Sequence, residues 1–184
     1  MLALTILLVV ITSVVLYGIS IYNRLITLKN LVKEGWSGID IQLKQRANLI
    51  PNLIETVKGY MGHERGVLEK VTELRTQCMN SSNMQERAQN ENMLTSALRS
   101  LFAVSENYPE LKASQNFSQL QESLSKIEDQ IQFARRYYNG TARDFNILIQ
   151  SFPSNIIANA FHFSCADYFE ITEASEREVP AVKF

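Results

Sequence analysis

The sequence predicts an all-α protein. It reads as an N-terminal single transmembrane helix followed by an elongated antiparallel helical bundle of three to four long helices, then a short C-terminal helix and an extended tail. Three observations carry this. Leu2 to Tyr22 contains no charged residue, and at ~1.5 Å per residue it is long enough to cross a ~30 Å hydrocarbon core. Between Leu25 and Phe152 apolar residues recur at gaps of three and four, the spacing of helical stripes. Seven glycines and four prolines in 184 residues are too few for a turn-rich β fold.

The N-terminal segment is read as an anchor and not as a cleaved signal. No lysine or arginine precedes the apolar run, and Ile21-Tyr22-Asn23-Arg24-Leu25 offers no small-x-small site. This divides the chain into an anchor, 1–22, and a helical bundle, 23–184, with membrane lipid as the partner of residues 2–22. Positive residues collect downstream, at Arg24, Lys29, Lys33, Lys44 and Arg46. Positive flanks stay on the cytoplasmic side, so the N-terminus is expected outside and residues 23–184 inside. Tyr17 and Tyr22 suit an interfacial belt, and the lone Gly18 makes no small-residue dimerisation motif.

The anchor helix need not stop at the surface. Leu25, Leu28, Val32, Trp36, Ile39, Leu43 and Ile50 continue a stripe in which Arg46 takes one position. An arginine there either snorkels out along its stem or meets a carboxylate inside the bundle. Gly35 and Gly38 flank the only tryptophan, and a neighbouring helix packing closely against them is their expected purpose. Pro51 removes a backbone donor; a kinked continuous helix and a tight helix–helix joint both fit. The stripe resumes from Leu53 through Val57, Val71 and Leu74 to Cys78, and Gly59, Gly62 and Gly66 make Lys58 to Gly66 its weakest piece.

Asn80-Ser81-Ser82-Asn83 is a loop and N-cap signal. A shorter helix follows with Met84, Ala88, Leu94, Leu98 and Leu101 or Phe102, ending before Tyr108-Pro109; Pro109 to Asn116 connects onward. Leu120, Leu124, Ile127, Ile131, Ala134, Tyr138, Thr141, Phe145, Leu148 and Phe152 then alternate gaps of four and three, as in a coiled-coil seam. That unbroken spacing overrules a hairpin at Asn139-Gly140. Pro153 ends the helix, and Ser154-Asn155 suits a cap for a short helix over Ile156–Phe161. The aromatics Phe161, Phe163, Tyr168 and Phe169 are expected to close the end of the bundle. Glu173 to Glu178 is charged, and Val179 to Phe184 reads as extended.

Composition and motifs exclude several functions. A net charge of −1 gives no field for holding nucleic acid by phosphate neutralisation. Cys78 and Cys165 make no cysteine framework; they read as ordinary half-buried thiols, with one disulfide left open. His63-Glu64 opens like a zinc-protease signature, but Val67 stands where the second histidine belongs. Tyr60 and Asn159 occupy the positions three before His63 and His162 where a di-iron bundle carries glutamate. No Cys-x-x-Cys, Gly-x-Ser-x-Gly or Walker pattern occurs. The sequence therefore supplies no catalytic, cofactor-binding or metal-binding set, and no enzyme or cofactor is expected. Polar residues do crowd the stripes. Trp36, Asp40, Arg46, Glu55, Arg143 and Asp144 are the candidates for locking the bundle or meeting a partner, with Arg46 or Arg143 pairing to Asp40, Glu55 or Asp144.

Two long motifs and the tail resemble the LemA family of bacterial proteins. They are Trp36-Ser37-Gly38-Ile39-Asp40 through Gly59-Tyr60 with His63-Glu64, and Ala134-Arg135-Arg136-Tyr137-Tyr138-Asn139-Gly140 through Ile149-Gln150-Ser151-Phe152-Pro153-Ser154-Asn155. The ending Glu176-Arg177-Glu178-Val179-Pro180-Ala181-Val182-Lys183-Phe184 resembles that family's C-terminus. Ala47-Asn48 departs from it, since the family usually carries an aromatic–acid pair there. The resemblance implies a single-pass anchor in the bacterial inner (cytoplasmic) membrane, a cytoplasmic bundle and no established catalytic activity. It also implies a setting near magnetosome membranes or membrane metalloproteases. The expected function is a non-catalytic scaffold or adaptor that forms a homo-oligomer and docks a membrane metalloprotease or another membrane protein. Membrane organisation or membrane-protein quality control would be its setting. A sensor of membrane state working through Gly35, Gly38 and Pro51 is the alternative. An enzyme or transport component with a site shared between chains, built on Asp40, Arg46, Glu55 and Arg143, is a second.

Overall fold

A computed structural model describes residues 1–61 and 64–169. His63, the charged stretch Glu173–Glu178 and the ending Val179–Phe184 lie outside the described residues. In chain order the described helices are α1 (Leu2–Lys58), α2 (Arg65–Asn80), α3 (Met84–Ser105), α4 (Pro109–Ala113), α5 (Gln115–Gln150) and α6 (Ser154–Ala160). The protein is all-α, and no strand occurs among the described residues.

The membrane-length run and the first soluble stripe are one helix, and α1 continues through Pro51. A proline there cannot donate to the carbonyl four residues back, which is that of Ala47. Arg75 of α2 supplies the missing donor, its Nε lying 2.7 Å from the Ala47 oxygen. Since a half-buried carbonyl must find a partner, this bond explains why the backbone passes the proline as helix and not as a joint. The helix ends at Lys58, and α2 begins at Arg65. The stripe from Leu53 to Cys78 is therefore split between two helices. The break falls in the glycine-containing stretch, where each such residue costs roughly 1 kcal/mol in a helix.

Asn83 caps α3, its side chain accepting from the backbone N–H of Glu86 at 2.8 Å. Glu86 reaches back to the Ser82 N–H at 3.1 Å, so two orphan donors are satisfied reciprocally. Pro109 opens the single-turn α4 at a position where no donor is needed. α5 runs unbroken through Asn139-Gly140. Ser154 differs from its expected place: it lies inside α6, and its hydroxyl is within donating distance of the Leu148 oxygen in α5's last turn at 2.6 Å and of the Ser151 oxygen just past it at 2.9 Å.

The described residues form two compact units, one of residues 1–41 with 131–168 and one of residues 42–130 with Phe169. The first has a core of Ile21, Leu25, Phe145, Ile149 and Ala158, flanked by Leu28, Val32, Ile157 and Phe163. The second is larger and draws Ile50, Leu53, Val57, Leu68, Val71, Leu74, Leu94, Leu98, Leu101, Leu111, Phe117 and Leu124 into one cluster. At about 1.5–3 kcal/mol per fully buried large aliphatic side chain, these stripes are the main source of stability. The apolar residues from Leu2 to Ile19 stay exposed in the protein, Leu2, Ile6, Val10 and Leu16 among them, so that segment contributes to neither core.

Candidate functional site

The most concentrated polar structure lies inside the second unit and is built on Arg46. Its stripe position points the guanidinium inward, leaving it 1 % exposed. One terminal nitrogen donates to Glu128 Oε2 at 2.6 Å and Thr95 Oγ1 at 2.7 Å. The other donates to the carboxylate of Glu91 and to its backbone oxygen. Glu91 is buried with it, while Glu128 keeps partial contact with solvent. A charge taken out of water needs both a counter-charge and hydrogen bonds to persist, and α3 and α5 together provide them.

Cys78 of α2 borders this centre. Burial, then the charge of Glu91, pushes its thiol up from 9.0 to about 12. It is thus a protonated packing group at neutral pH and no nucleophile. Both cysteines are free, Cys78 buried and Cys165 exposed. A cleft of about 220 Å³ opens beside Arg46, lined by Thr95, Leu98, Arg99, Phe102, Leu124 and Glu128. A larger groove of about 500 Å³ runs beside Pro51, with an apolar floor of Ile50, Ile54 and Leu68 and a charged rim of Glu55, Lys58, Glu69 and Arg75.

In the first unit, α1 and α5 meet around Trp36, whose ring packs edge-on against Tyr138 with centroids 5.8 Å apart. Gly35 makes this approach feasible, since a Cβ there would stand 3.1 Å from the Tyr138 Cα. The expectation for Gly38 does not hold, as a Cβ there would meet nothing within 4 Å. Tyr138 donates to the backbone oxygen of Asp167 at 2.7 Å. Asn146 clamps the same segment from both sides, donating to the oxygen of Ala166 at 2.9 Å and accepting from its N–H at 2.8 Å. Burial, then the nearby Asp167, raises the Tyr138 hydroxyl above its usual value.

The other candidates fall elsewhere. Asp40 is half-buried on α1. Glu55 is exposed and pairs with Lys58 at 2.8 Å. Arg143 and Asp144 pair with each other at 3.1 Å on the surface, a contact between neighbours and not a lock across the bundle. Arg46 finds its carboxylates at Glu91 and Glu128, neither of which was anticipated. The signal was present: Glu91 fills the gap between Ala88 and Leu94 in the α3 stripe, as Arg46 fills one in α1. Among the described residues no group of histidine, cysteine and carboxylate side chains is placed to hold a metal ion.

These features define a class: a helical protein with, among the described residues, one helix long and apolar enough to cross a membrane, and an interior arginine held by carboxylates from two other helices. The chain belongs to the LemA family, whose profile matches residues 35–184. It is 28 % identical over 162 residues to Protein LemA of Metamycoplasma hominis, spanning 85 % of this chain and 72 % of that one. It is 22 % identical over 184 residues to Magnetosome protein MamQ 2 of Paramagnetospirillum magneticum, spanning 86 % and 68 %. Magnetosome protein MamQ of Magnetospirillum gryphiswaldense is 20 % identical over the same shares.

Proposed function

We propose that the protein is a non-catalytic, membrane-anchored scaffold that self-associates and docks membrane proteins. The observation that carries this reading is α1, in which the exposed apolar run and the stripe packing against Tyr138, Phe145 and Ile149 form one helix. Such an element transmits position and offers no reactive group. The most buried charges are spent on one another at Arg46, which favours a role in fixing the bundle. The relatives named as magnetosome proteins support membrane organisation as the setting. The anchor is assigned to the bacterial inner membrane with the N-terminus outside, on the positive residues that follow it. A membrane metalloprotease is one candidate among the membrane proteins it would dock.

The test is gentle detergent extraction of the tagged full-length protein, with its mass measured and co-purifying proteins identified. A multiple of the 21.0 kDa chain, matched by cross-links in native membranes, is the expected result. A lone monomer that carries no membrane protein with it would overturn the proposal.

A further inference from the structure

The geometry points to a second membrane contact: the turn and short helix from Phe152 to Phe161 lie in the lipid interface, beside the end of the anchor. From Phe145 to Ala166 the chain carries no Asp, Glu, Lys or Arg, and Asp144 and Asp167 bracket the stretch. Within it, Phe152 is 80 % exposed and Ile156 and Phe161 are each 58 % exposed. Three large apolar side chains at a charge-free surface call for an apolar neighbour.

Their position says which neighbour. Ile157 Cδ1 stands 3.7 Å from where a Cβ on Gly18 would be. The Phe161 ring packs on Tyr22 with centroids 4.7 Å apart, and Phe163 sits 6.0 Å from the same ring. Gly18 is one turn, about 6 Å, to the membrane side of Tyr22. Hence α6 is level with the last turn of the apolar run, at the depth where amphipathic segments insert, ~5–10 Å into the headgroup and acyl boundary. Lys29 Nζ lies 5.6 Å from the Phe163 ring, and Lys29 is about 10 Å further along α1 than Tyr22, away from the apolar run, so a cation borders this surface on the side where headgroup phosphates would lie. Lipid is therefore the occupant, because the exposed surface continues one that already has to be in the bilayer.

This inference rests on the anchor reading, so its test separates the two. Full-length protein with Trp36→Phe receives one indole at a time, by Ile156→Trp, Phe152→Trp, Val10→Trp or Phe133→Trp. Each is placed in phosphatidylcholine vesicles brominated near the glycerol end or near the terminal methyl of the acyl chain. Val10→Trp reports the anchor. Phe133→Trp, about 25 Å along α5 from its end at Gln150, reports the solvated bundle. The expected result is blue-shifted emission from Ile156→Trp and Phe152→Trp, quenched by shallow bromine at least about twofold more than Phe133→Trp. Emission open to acrylamide, with Val10→Trp still quenched by lipid, overturns the interfacial contact and leaves the anchor intact. Blue-shifted emission that no lipid quenches means a second copy or residues 170–184 cover the surface, and also overturns it. Lack of quenching at Val10→Trp overturns the anchor. Should the Trp36→Phe background fail to fold, the unaltered chain is photolabelled with a diazirine phospholipid. Adducts on the peptide holding Phe152 to Phe161 are then expected, and adducts confined to residues 1–22 refute the contact.

Discussion

Arg46 shows how one residue can decide the organisation of a bundle. Its attraction to Glu91 offsets a desolvation cost that neither group could bear alone. Removing the arginine leaves Glu91 buried without a counter-charge, so Arg46→Met should cost about 3–5 kcal/mol, read as a shift in the urea midpoint of the full-length protein. Glu91→Gln in that background removes the stranded charge and should restore a large part of the loss. A double-mutant cycle that showed the two changes simply adding would refute the coupling. Glu128 can turn toward water, so Arg46→Met with Glu128→Gln should recover less. Arg75 is a quieter case. Its bond to the Ala47 carbonyl is what a sequence with Pro51 requires and cannot itself identify, since the donor lies in another helix.

At the scale of elements, helix identity follows from periodicity, while helix ends and joints follow from single contacts. The seam from Leu120 to Phe152 is readable because nine regular steps average out individual exceptions, and α5 occupies almost the same span. Pro51 was not decidable, because the sequence holds the missing donor but not the fold that brings Arg75 to it. Gly35 and Gly38 look alike in sequence and differ only in what packs on them. The prediction for this pair has opposite signs. Gly38→Ala should stabilise the protein by roughly 0.5–1 kcal/mol, because open space accepts the methyl and the helix gains propensity. Gly35→Ala should destabilise by about 1–3 kcal/mol, because the backbone of Tyr138 stands in the way, and the Trp36 emission should shift as its contact with Tyr138 opens. Thermal melts of the two variants in one detergent decide this. Equal shifts would show that the closeness of α1 and α5 at Gly35 carries no strain on substitution.

For the whole molecule, the question the fold poses most directly is which side of the membrane holds the bundle. The positive residues after the anchor argue for the cytoplasm, and the two native cysteines allow the answer to be read without altering the chain. Cys165 is exposed, so a maleimide reaches it. Cys78 is buried, and its thiol, pushed up to about 12, holds less than about one part in a thousand as thiolate at pH 8. Labelling should therefore fall on Cys165 alone, and Cys165→Ser should abolish it in the folded protein. A membrane-impermeant maleimide added to intact spheroplasts should leave the chain unmodified, and permeabilisation should give one label per chain. Met79→Cys, an exposed site in the second unit, serves as an independent reporter should lipid shield Cys165. Labelling of either reporter before permeabilisation would reverse the orientation. The scaffold would then face partners outside the cell, since the anchor fixes the side on which every surface of the bundle is offered.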